Sequence, residues 1–284
     1  MRTSPLIALS LLLTALAWQP VLAGGASVGV LAGLKQAHDP LDLKSSVALV
    51  ADADSQEVIF AKNPSAVLPI ASITKLMTVV VTLEAGLSMK DIIEITPDDY
   101  DNYKHTSSRL RAGDKYSREE LLHLALMASE NRAASALGRS YPGGKTAFVR
   151  AMNTRAQALH MTHTLYVEPT GLSSDNRSSA NDLALLVMHA SSFKLIRQFS
   201  TSREYSVYRK GKALAFRNTN HLVKKPEWDI DLQKTGYINE AGRCMVMKTR
   251  INKRNVVIVL LDSIGRAART SDAERLREFV ASSR

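Results

Sequence analysis

The sequence predicts an α/β protein in which strands from both ends of the chain share one sheet. Strand patterns occur near the amino terminus, helical patterns fill the middle, and strands return in the last third before a closing helix. If early and late strands join in one sheet, the result is an α/β sandwich whose chain ends lie together. With 284 residues, 45% of them hydrophobic, the chain is long enough for one large domain or two small ones.

The amino-terminal segment predicts a secretory signal peptide, residues 1–23. Arg2 precedes an apolar stretch from Leu6 to Trp18, and Ala23 is a small residue suited to the cleavage site. The apolar stretch is shorter than the roughly 18–20 residues that a membrane span needs. Residues 24–44 have no firm periodicity and predict a linker, so the folded domain is expected to cover residues 45–284.

The chain is basic, with a formal net charge of +10. In an exported protein, such a charge suits anionic envelope polymers or lipid surfaces better than nucleic acid. The tryptophans and tyrosines are not arranged for base stacking, which also argues against a nucleic-acid partner. The two densest basic patches, RKGK at Arg209–Lys212 and KTRINKR at Lys248–Arg254, are expected to be solvated faces and hairpin tips.

Two strands open the predicted domain. Residues 45–63, SSVALVADADSQEVIFAKN, predict two strands joined around Asp52–Ser55. A helix is then predicted from Ser72 to about Ala85, where Gly86 ends it.

Helical signals fill the middle of the chain. In SREELLHLALMAS, Ser117 and Glu120 form a capping box ahead of an apolar segment, which predicts a buried helix. Further helices are predicted at Asn131–Arg139, Thr146–Leu159 and Asp182–Ala190. The last third predicts strands in REYSVYRKGKALAF, IDLQKTGYI, GRCMVMKTRI and NVVIVLLDS, before a closing helix near Ser271–Ala281.

Neither the single cysteine nor the histidines predict a metal or redox site. Cys244 has no partner for an intrachain disulfide, and its strand-like surroundings predict a buried, inert thiol. His160 and His163 lie three residues apart, but the sequence nearby offers no third ligand, which favours surface histidines. We therefore expect no metal and no other cofactor.

The stretch LPIASITKLM contains Ser72 and Lys75 at the start of a predicted helix. One helical turn separates them, so their Cβ atoms would lie about 5–6 Å apart. The helix start favours an alkoxide on Ser72, and a neutral Lys75 would accept its proton. The lysine pKa must then fall by about three units, which burial and a second nearby cation would promote. A second match, Ser191/Lys194, lies where a helical pattern ends and predicts a surface position.

Two further motifs offer groups for the same cleft. Ser129 and Asn131 fall at a break between two predicted helices, where both side chains can face one cleft. Ser129 would relay a proton to a leaving amine, and Asn131 would hold a substrate backbone. In QKTGY, Lys234 and Thr235 suit a substrate carboxylate, and Gly236 lets the strand approach the helix start closely.

The Ser-x-Asn pattern also occurs twice in the polar segment GLSSDNRSSAND, at Ser174/Asn176 and Ser179/Asn181. This segment predicts a loop that ends in a helix cap at or near Asn181. Ser129 is preferred because the helical patterns on both sides give it a fixed location.

The three motifs occur in the order found in the active-site serine penicillin-binding proteins, which the chain resembles. The segments PIASITKLM, LALMASENRAA, YPGG, VEPTGL, LAFRNTNHLV and KTGYINEAGRCMVM are similar to the low-molecular-mass D-alanyl-D-alanine endopeptidases of the periplasm. The resemblance runs from about Ser46 to Phe279. It implies a β-lactamase/transpeptidase-like α/β fold, with a five-stranded antiparallel sheet flanked by helices and a helical subdomain.

The resemblance also implies a role for each motif residue. Ser72 would be the acylated nucleophile, Lys75 its base, and Ser129 the proton relay. The residues implied to bind substrate are Asn131, Lys234, Thr235, Gly236 and Tyr237. The backbone N–H groups of Ser72 and Tyr237 would form an oxyanion hole.

The implied reaction is hydrolysis of D-alanyl-diaminopimelate crosslinks in peptidoglycan through an acyl-enzyme. Peptidoglycan stem peptides would be the substrates, and β-lactams would be covalent inhibitors. The protein would be periplasmic and without a stable membrane anchor; the sequence identifies no envelope protein partner.

Three alternatives stay open. Related carboxypeptidases usually carry Asp after the Ser-x-Asn asparagine and a second β-rich domain with an amphipathic membrane helix, whereas this chain has Arg132 and stops at Arg284. A β-lactamase would use a glutamate such as Glu168 to activate water, but Leu172 stands where an asparagine would help hold that water. A non-catalytic β-lactam-binding wall module would be free to lose the motifs, and all of them are present.

Overall fold

The computed structural model describes residues 26–36, 39–265 and 267–283. The predicted signal peptide, residues 1–23, lies outside the described residues. The strands are β1 Ser45–Asp52, β2 Val58–Lys62, β3 Leu68–Pro69, β4 Ile92–Glu94, β5 Lys115–Ser117, β6 Arg177–Ser178, β7 Glu204–Arg209, β8 Lys212–Arg217, β9 Asp229–Ile238, β10 Gly242–Ile251 and β11 Arg254–Ser263. The helices are α1 Val28–Leu31, α2 Thr74–Glu84, α3 Arg118–Met127, α4 Asn131–Arg139, α5 Gly144–Ala158, α6 Ala180–Ala190, α7 Lys194–Thr201 and α8 Ala268–Ser282.

The main sheet combines the first strands of the domain with the last ones, as predicted. Its five strands lie in the order β2-β1-β11-β10-β9, and every neighbouring pair is antiparallel. The prediction of a five-stranded antiparallel sheet is therefore confirmed. Because β9 lies at the edge, one side of this strand is free of sheet neighbours.

Both faces of the sheet are buried, which explains the nearly continuous apolar runs of its strands. Along β1, Val47 and Leu49 belong to one apolar cluster, whereas Ala48 and Val50 belong to another on the opposite face. This alternation follows from the two-residue period of a strand. Helices cover each face and complete the α/β sandwich: α6 packs in the first cluster, and α8 packs in the second.

The two ends of the described domain meet, as the sequence predicted. Asp272 on α8 accepts hydrogen bonds from the backbone N–H groups of Lys44, at 2.9 Å, and of Ser45, at 2.7 Å. The fully buried carboxylate thereby fixes the start of β1 against the closing helix.

Helices α2 to α5 pack on one another and form the helical subdomain. The predicted capping box is confirmed: the Ser117 hydroxyl accepts from the Glu120 N–H, and the Glu120 carboxylate accepts from the Ser117 N–H at 2.7 Å. Helix α3 is buried along most of its length, also as predicted. Helix α2 begins at Thr74, two residues later than predicted, because residues Ala71–Ile73 form a 3-10 turn.

One segment differs from the sequence prediction. The region interpreted as a linker contains α1 and a 3-10 turn, and Gly29 packs so closely on Asp262 that a Cβ there would lie 2.1 Å from a carboxylate oxygen. Strands β7 and β8 form a separate two-stranded hairpin, and RKGK lies at its tip, as predicted. Within the described parts of the chain, no helix combines the length and apolarity that a bilayer span requires.

Candidate active site

The nucleophile candidate, Ser72, lies in the 3-10 turn that leads into α2. The residue before it, Ala71, has a positive φ of 47°, a conformation that is strained for a residue with a side chain. Two glycines hold this turn by close backbone contact. A Cβ on Gly171 would lie 1.9 Å from the Ala71 carbonyl oxygen, and a Cβ on Gly236 would lie 3.0 Å from the Ser72 nitrogen.

Lys75 is fully buried beneath Ser72 in the first turn of α2. Its Nζ donates to the Ser72 Oγ at 2.8 Å, to the Asn131 Oδ1 at 2.7 Å and to the Thr170 carbonyl oxygen at 2.5 Å. The three acceptors come from different segments, so the amine has one defined position beside the hydroxyl.

Ser129 and Asn131 lie at the break between α3 and α4, where the sequence predicted them. Ser129 has a positive φ of 59°, which turns the chain sharply between the two helices. The Asn131 Nδ2 donates to the Thr106 Oγ1 at 2.9 Å, so the amide contacts both Lys75 and the far wall of the cleft.

The third motif lies on the edge strand β9. Lys234 is fully buried, and its Nζ donates to the Ser129 Oγ at 2.8 Å and to the Thr235 carbonyl oxygen at 2.7 Å. The hydroxyls of Thr235 and Thr219 lie 2.6 Å apart. The structure therefore brings all three sequence motifs together, although more than 150 positions separate Ser72 from Lys234.

A cleft of about 250 Å³ connects these groups. Six of the eight predicted site residues line it: Ser72, Ser129, Asn131, Thr235, Gly236 and Tyr237. The two remaining residues, Lys75 and Lys234, are buried beside it. The cleft thus lies between the helical subdomain and the sheet edge.

Sequence reasoning missed four residues that line this cleft, Thr106, Leu172, Thr219 and Arg269. The charged one, Arg269, lies on α8. Its Nη1 donates to the carbonyl oxygens of Gly236, at 3.1 Å, and of Cys244, at 3.2 Å. Burial lowers the pKa of its guanidinium, but Arg269 stays a cation at physiological pH. The local sequence pattern does not distinguish Arg269 from the other arginines of the closing helix. Arg269 contacts β9 only because of the way in which the folded sheet and α8 are arranged.

Burial dominates the electrostatics of the two lysines. It lowers the pKa of Lys75 to about 8, although the carboxylates of Glu168, Glu130 and Asp101 act in the opposite direction. The pKa of Lys234 is also lowered well below its ordinary value, first by burial and then by the charge of Lys75. At neutral pH, about one Lys75 amine in ten is uncharged and able to accept a proton.

Glu168 organises the loop beneath Ser72. Its buried carboxylate accepts from the Thr170 N–H, the Thr170 hydroxyl and the Gly171 N–H, each at 2.6 Å, and from the Asn176 Nδ2 at 2.7 Å. These bonds occupy both oxygens and fix Gly171 against the nucleophile turn. A carboxylate held in this way is a structural element of the loop.

The rival motifs lie elsewhere. Ser191 ends α6 and is largely buried, whereas its partner Lys194 is exposed, so only the lysine lies on the surface as predicted. Asn176 is buried against Glu168. Ser179 caps α6 by accepting from the Asp182 N–H, two residues before the predicted cap at Asn181.

Cys244 is buried, whereas the two histidines considered as metal ligands are exposed. Cys244 is fully buried, and burial raises its pKa to about 12, which confirms an inert thiol. His160 and His163 follow the end of α5 and are exposed. Among the described residues, no three His, Cys, Asp or Glu side chains lie close enough to hold a metal ion.

Comparison with known proteins supports the family resemblance that the sequence motifs indicated. The family model for D-alanyl-D-alanine carboxypeptidases matches residues 34–265. D-alanyl-D-alanine endopeptidases of Pseudomonas aeruginosa and Escherichia coli are 46% and 43% identical over 241 residues, which cover 84% of this chain and 78% of each relative. The crystal structure of penicillin-binding protein D2 from Listeria monocytogenes, in its ampicillin-bound form, superposes with a TM-score of 0.72 at 29% identity and covers 84% of this chain and 97% of that one.

The predicted β-lactamase/transpeptidase-like fold is confirmed by this similarity, and the segments that suggested the resemblance lie within the matched region. The chain belongs to the D-alanyl-D-alanine carboxypeptidase family of serine peptidases.

Proposed function

We propose that the protein is a serine D-alanyl-D-alanine endopeptidase that hydrolyses D-alanyl-diaminopimelate crosslinks in peptidoglycan. The observation that carries the proposal is the buried Lys75 amine, 2.8 Å from the Ser72 hydroxyl at a cleft completed by Lys234 and Ser129. A general base of lowered pKa beside a hydroxyl is the requirement for serine acyl transfer without histidine.

Acylation begins when Ser72 Oγ attacks the carbonyl carbon of the D-alanyl residue and neutral Lys75 takes the hydroxyl proton. The backbone N–H groups of Ser72 and Tyr237 stabilise the oxyanion. Collapse of the tetrahedral intermediate breaks the C–N bond. Lys75 then gives up the proton that it took, and Ser129, whose Oγ accepts from the Lys234 Nζ, relays it to the leaving amine, so that both groups return to their initial states. In deacylation, neutral Lys75 takes a proton from the water that attacks the Ser72 ester and returns it to the Ser72 Oγ as the D-alanyl carboxylate is released.

Substrate binding uses the edge of the sheet. The free side of β9 can pair with an extended stem peptide, and Asn131 reaches the same cleft from the helical side. Lys234, Thr235 and Arg269 supply an amine, a hydroxyl and a guanidinium as donors for the carboxylate beside the scissile amide.

Endopeptidase activity is favoured over carboxypeptidase activity by the relatives of highest identity among those compared, which are named endopeptidases. Arg132 adds a structural difference from the carboxypeptidase pattern. Its Nη1 donates to the Leu110 carbonyl oxygen at 2.5 Å, and its guanidinium lies 3.7 Å from the centre of the Tyr100 ring. Arg132 thus supports the loop that forms one wall of the cleft.

A carboxypeptidase remains the second candidate, because a terminal D-alanine also presents a carboxylate to Lys234, Thr235 and Arg269. The matching family model carries that activity in its description. Incubation with a crosslinked muropeptide dimer and, separately, with an uncrosslinked pentapeptide distinguishes the two.

We expect conversion of dimers to monomers, and we expect Ser72→Ala to abolish it. Ser191→Ala, the serine of the second Ser-x-x-Lys, is the matched control and should retain activity. Faster release of D-alanine from the pentapeptide than cleavage of the dimer would make the protein a carboxypeptidase. Dimers left intact by a protein that binds penicillin would indicate a non-catalytic module.

β-Lactams are proposed as covalent inhibitors that acylate Ser72. One relative has been crystallised in an ampicillin-bound form. Hydrolytic release should be slow, because the Glu168 carboxylate is held by backbone and side-chain donors and is not free to activate water. This argues against a β-lactamase. Rapid turnover of benzylpenicillin would contradict the proposal.

We also propose export to the periplasm, with the signal peptide removed after Ala23. Peptidoglycan is the proposed partner, with no nucleic acid. Amino-terminal sequencing of the protein from the periplasmic fraction tests this directly, and recovery of an uncleaved protein from the cytoplasm would contradict it.

A further inference from the structure

The two densest basic patches of the sequence have different electrostatic surroundings in the fold. The segment Lys248–Arg254 covers the end of β10, the turn after it and the first residue of β11, and carboxylates pair with three of its four cations. The pairs are Lys248–Asp231 at 3.5 Å, Arg250–Asp229 at 2.5 Å and Arg254–Asp52 at 3.3 Å. This patch is therefore largely neutralised.

The other patch forms the tip of the β7–β8 hairpin and has no such compensation. Arg209, Lys210 and Lys212 form no ion pair with any described carboxylate. Lys210 and Gly211 have positive φ values of 48° and 76°, as expected for a tight hairpin turn. Both lysines are exposed at the end of the β7–β8 ladder.

The neighbouring loop adds to this charge. Arg209 Nη1 donates to the carbonyl oxygen of Arg109 at 2.9 Å, and the Arg109 guanidinium lies 3.8 Å from the centre of the Phe216 ring. We call the resulting surface the basic ridge; it consists of Arg109, Arg111, Arg203, Arg209, Lys210, Lys212 and Arg217. None of these seven cations pairs with a carboxylate in the described residues. Strands β7 and β8 contain one acidic residue, Glu204, which lies opposite Arg217 in the hairpin.

The basic ridge begins at the cleft. Arg217 lies two residues before Thr219, and Arg109 lies three residues after Thr106; both threonines line the cleft. The hairpin tip is one six-residue strand further away, which is about 20 Å. A substrate in the cleft and a group bound at the tip therefore belong to different parts of an extended ligand.

We propose that the basic ridge is a second binding surface for peptidoglycan, which contacts carboxylates of stem peptides other than the one in the cleft. The inference rests on the proposed function, since it assumes a polymeric, polyanionic substrate. Each exposed contact is weak, but several contacts on one network raise the effective concentration of crosslinks at the cleft.

A membrane surface fits the ridge less well. Among the large apolar side chains of the hairpin, Tyr208 alone is exposed, at 69%, whereas interfacial membrane binding uses an extended apolar face. Binding to vesicles is therefore a competing outcome of the experiment.

The test compares two variants that each lose two positive charges. The ridge variant is Lys210→Asn with Lys212→Gln, and the control is Lys253→Asn with Arg250→Gln in the largely neutralised segment Lys248–Arg254. The pairs are matched, because Lys210 and Lys253 both have positive φ, which asparagine tolerates, and Lys212 and Arg250 both lie on strands. Binding is measured by cosedimentation with purified sacculi, and activity is measured on sacculi and on a soluble crosslinked dimer.

At about 0.05 M salt, we expect the ridge variant to bind sacculi about threefold to tenfold less tightly than wild type. The difference should disappear at about 0.5 M salt, where screening is strong. Activity on the soluble dimer should be unchanged, and the control variant should behave like wild type in every assay.

If both variants lose the same affinity for sacculi, binding depends on net charge and the proposal is overturned. The proposal is also overturned if the ridge variant binds sacculi as tightly as wild type. If the ridge variant loses binding to phosphatidylglycerol vesicles but binds sacculi like wild type, the ridge is a membrane-binding surface and the proposal is overturned. A wild-type protein that binds sacculi through the ridge but leaves the soluble dimer intact would refute the proposed endopeptidase function and leave the ridge inference standing.

Discussion

The pH dependence of Ser72 acylation follows directly from the burial of Lys75. The amine must be uncharged to accept the serine proton, and its pKa is lowered to about 8. Below that pH, each unit of acidification therefore removes most of the competent enzyme. The rate constant for acylation should rise with pH through the neutral range.

The size of the effect follows from the fraction of uncharged amine. That fraction is about 1% at pH 6, about 9% at pH 7 and about 50% at pH 8. The second-order rate constant for acylation should therefore rise about tenfold from about pH 6 to pH 7 and about fivefold from about pH 7 to pH 8. This constant reports ionisations of the free enzyme, so the acyl-enzyme has no influence on it.

Stopped-flow acylation by benzylpenicillin is a suitable assay, because the carboxylate of this ligand does not titrate in the range. Native mass spectrometry at each pH should find one adduct, and Ser72→Ala should give none. An acylation rate that stays constant from about pH 6 to pH 8 would refute the role of Lys75 as the base.

The same pKa change affects stability with a defined sign. Since the pKa of Lys75 is lower in the folded state, the unfolded chain binds more protons between about pH 8 and its ordinary value of 10.5, and stability rises with pH across this window. The gain from Lys75 by pH 10 is about 2–3 kcal/mol. Lys75→Met removes this gain, so the free energy of unfolding of wild type minus that of the variant should increase between pH 7 and pH 10. A difference independent of pH would contradict the buried, depressed lysine.

Three further predictions concern the residues around this pair. Gly236→Ala adds a Cβ 3.0 Å from the Ser72 nitrogen, so acylation should slow by about 10²-fold or more with little change in melting temperature, whereas Gly211→Ala in the open hairpin turn should acylate at the wild-type rate. Glu130→Gln removes an anion that raises the pKa of Lys75, so the acid limb of the acylation profile should move to lower pH; an unmoved limb would exclude the coupling. Lys234→Gln should reduce kcat/KM for the crosslinked dimer by about 10- to 100-fold, measured by chromatography of muropeptides, and a smaller loss would remove Lys234 from carboxylate binding.

Local patterns predicted most elements because their signals are short-range. The capping box at Ser117, the helix break at Ser129 and the strand alternation in β9 each depend on a few neighbouring residues. The start of α2 was missed by two residues, since the strained Ala71 is held by Gly171, which lies 100 positions away in the sequence. A contact between residues so far apart in the sequence cannot be predicted from a periodic pattern.

The residues of the candidate site also differ in whether a local sequence pattern could identify them. Lys75 could be recognised because its partner Ser72 is one turn away, whereas Arg269 could not, because its contact with Gly236 depends on how α8 packs across the sheet. The shift in the Lys75 pKa was anticipated in direction. Its size depends also on the opposing carboxylates Glu168 and Glu130, whose distance from the amine is a tertiary property.

The site is built across the interface between the helical subdomain and the sheet, and this explains why it tolerates two buried amines. Lys75 belongs to the helical side and Lys234 to the sheet edge, and each donates to a serine hydroxyl at 2.8 Å. If the two layers separated, water would enter, both pKa values would rise toward their ordinary range, and Lys75 would be charged at every physiological pH. Close packing of Gly236 against the Ser72 turn is therefore a condition for the proposed chemistry, because it keeps water away from Lys75 and so keeps the pKa of that amine low.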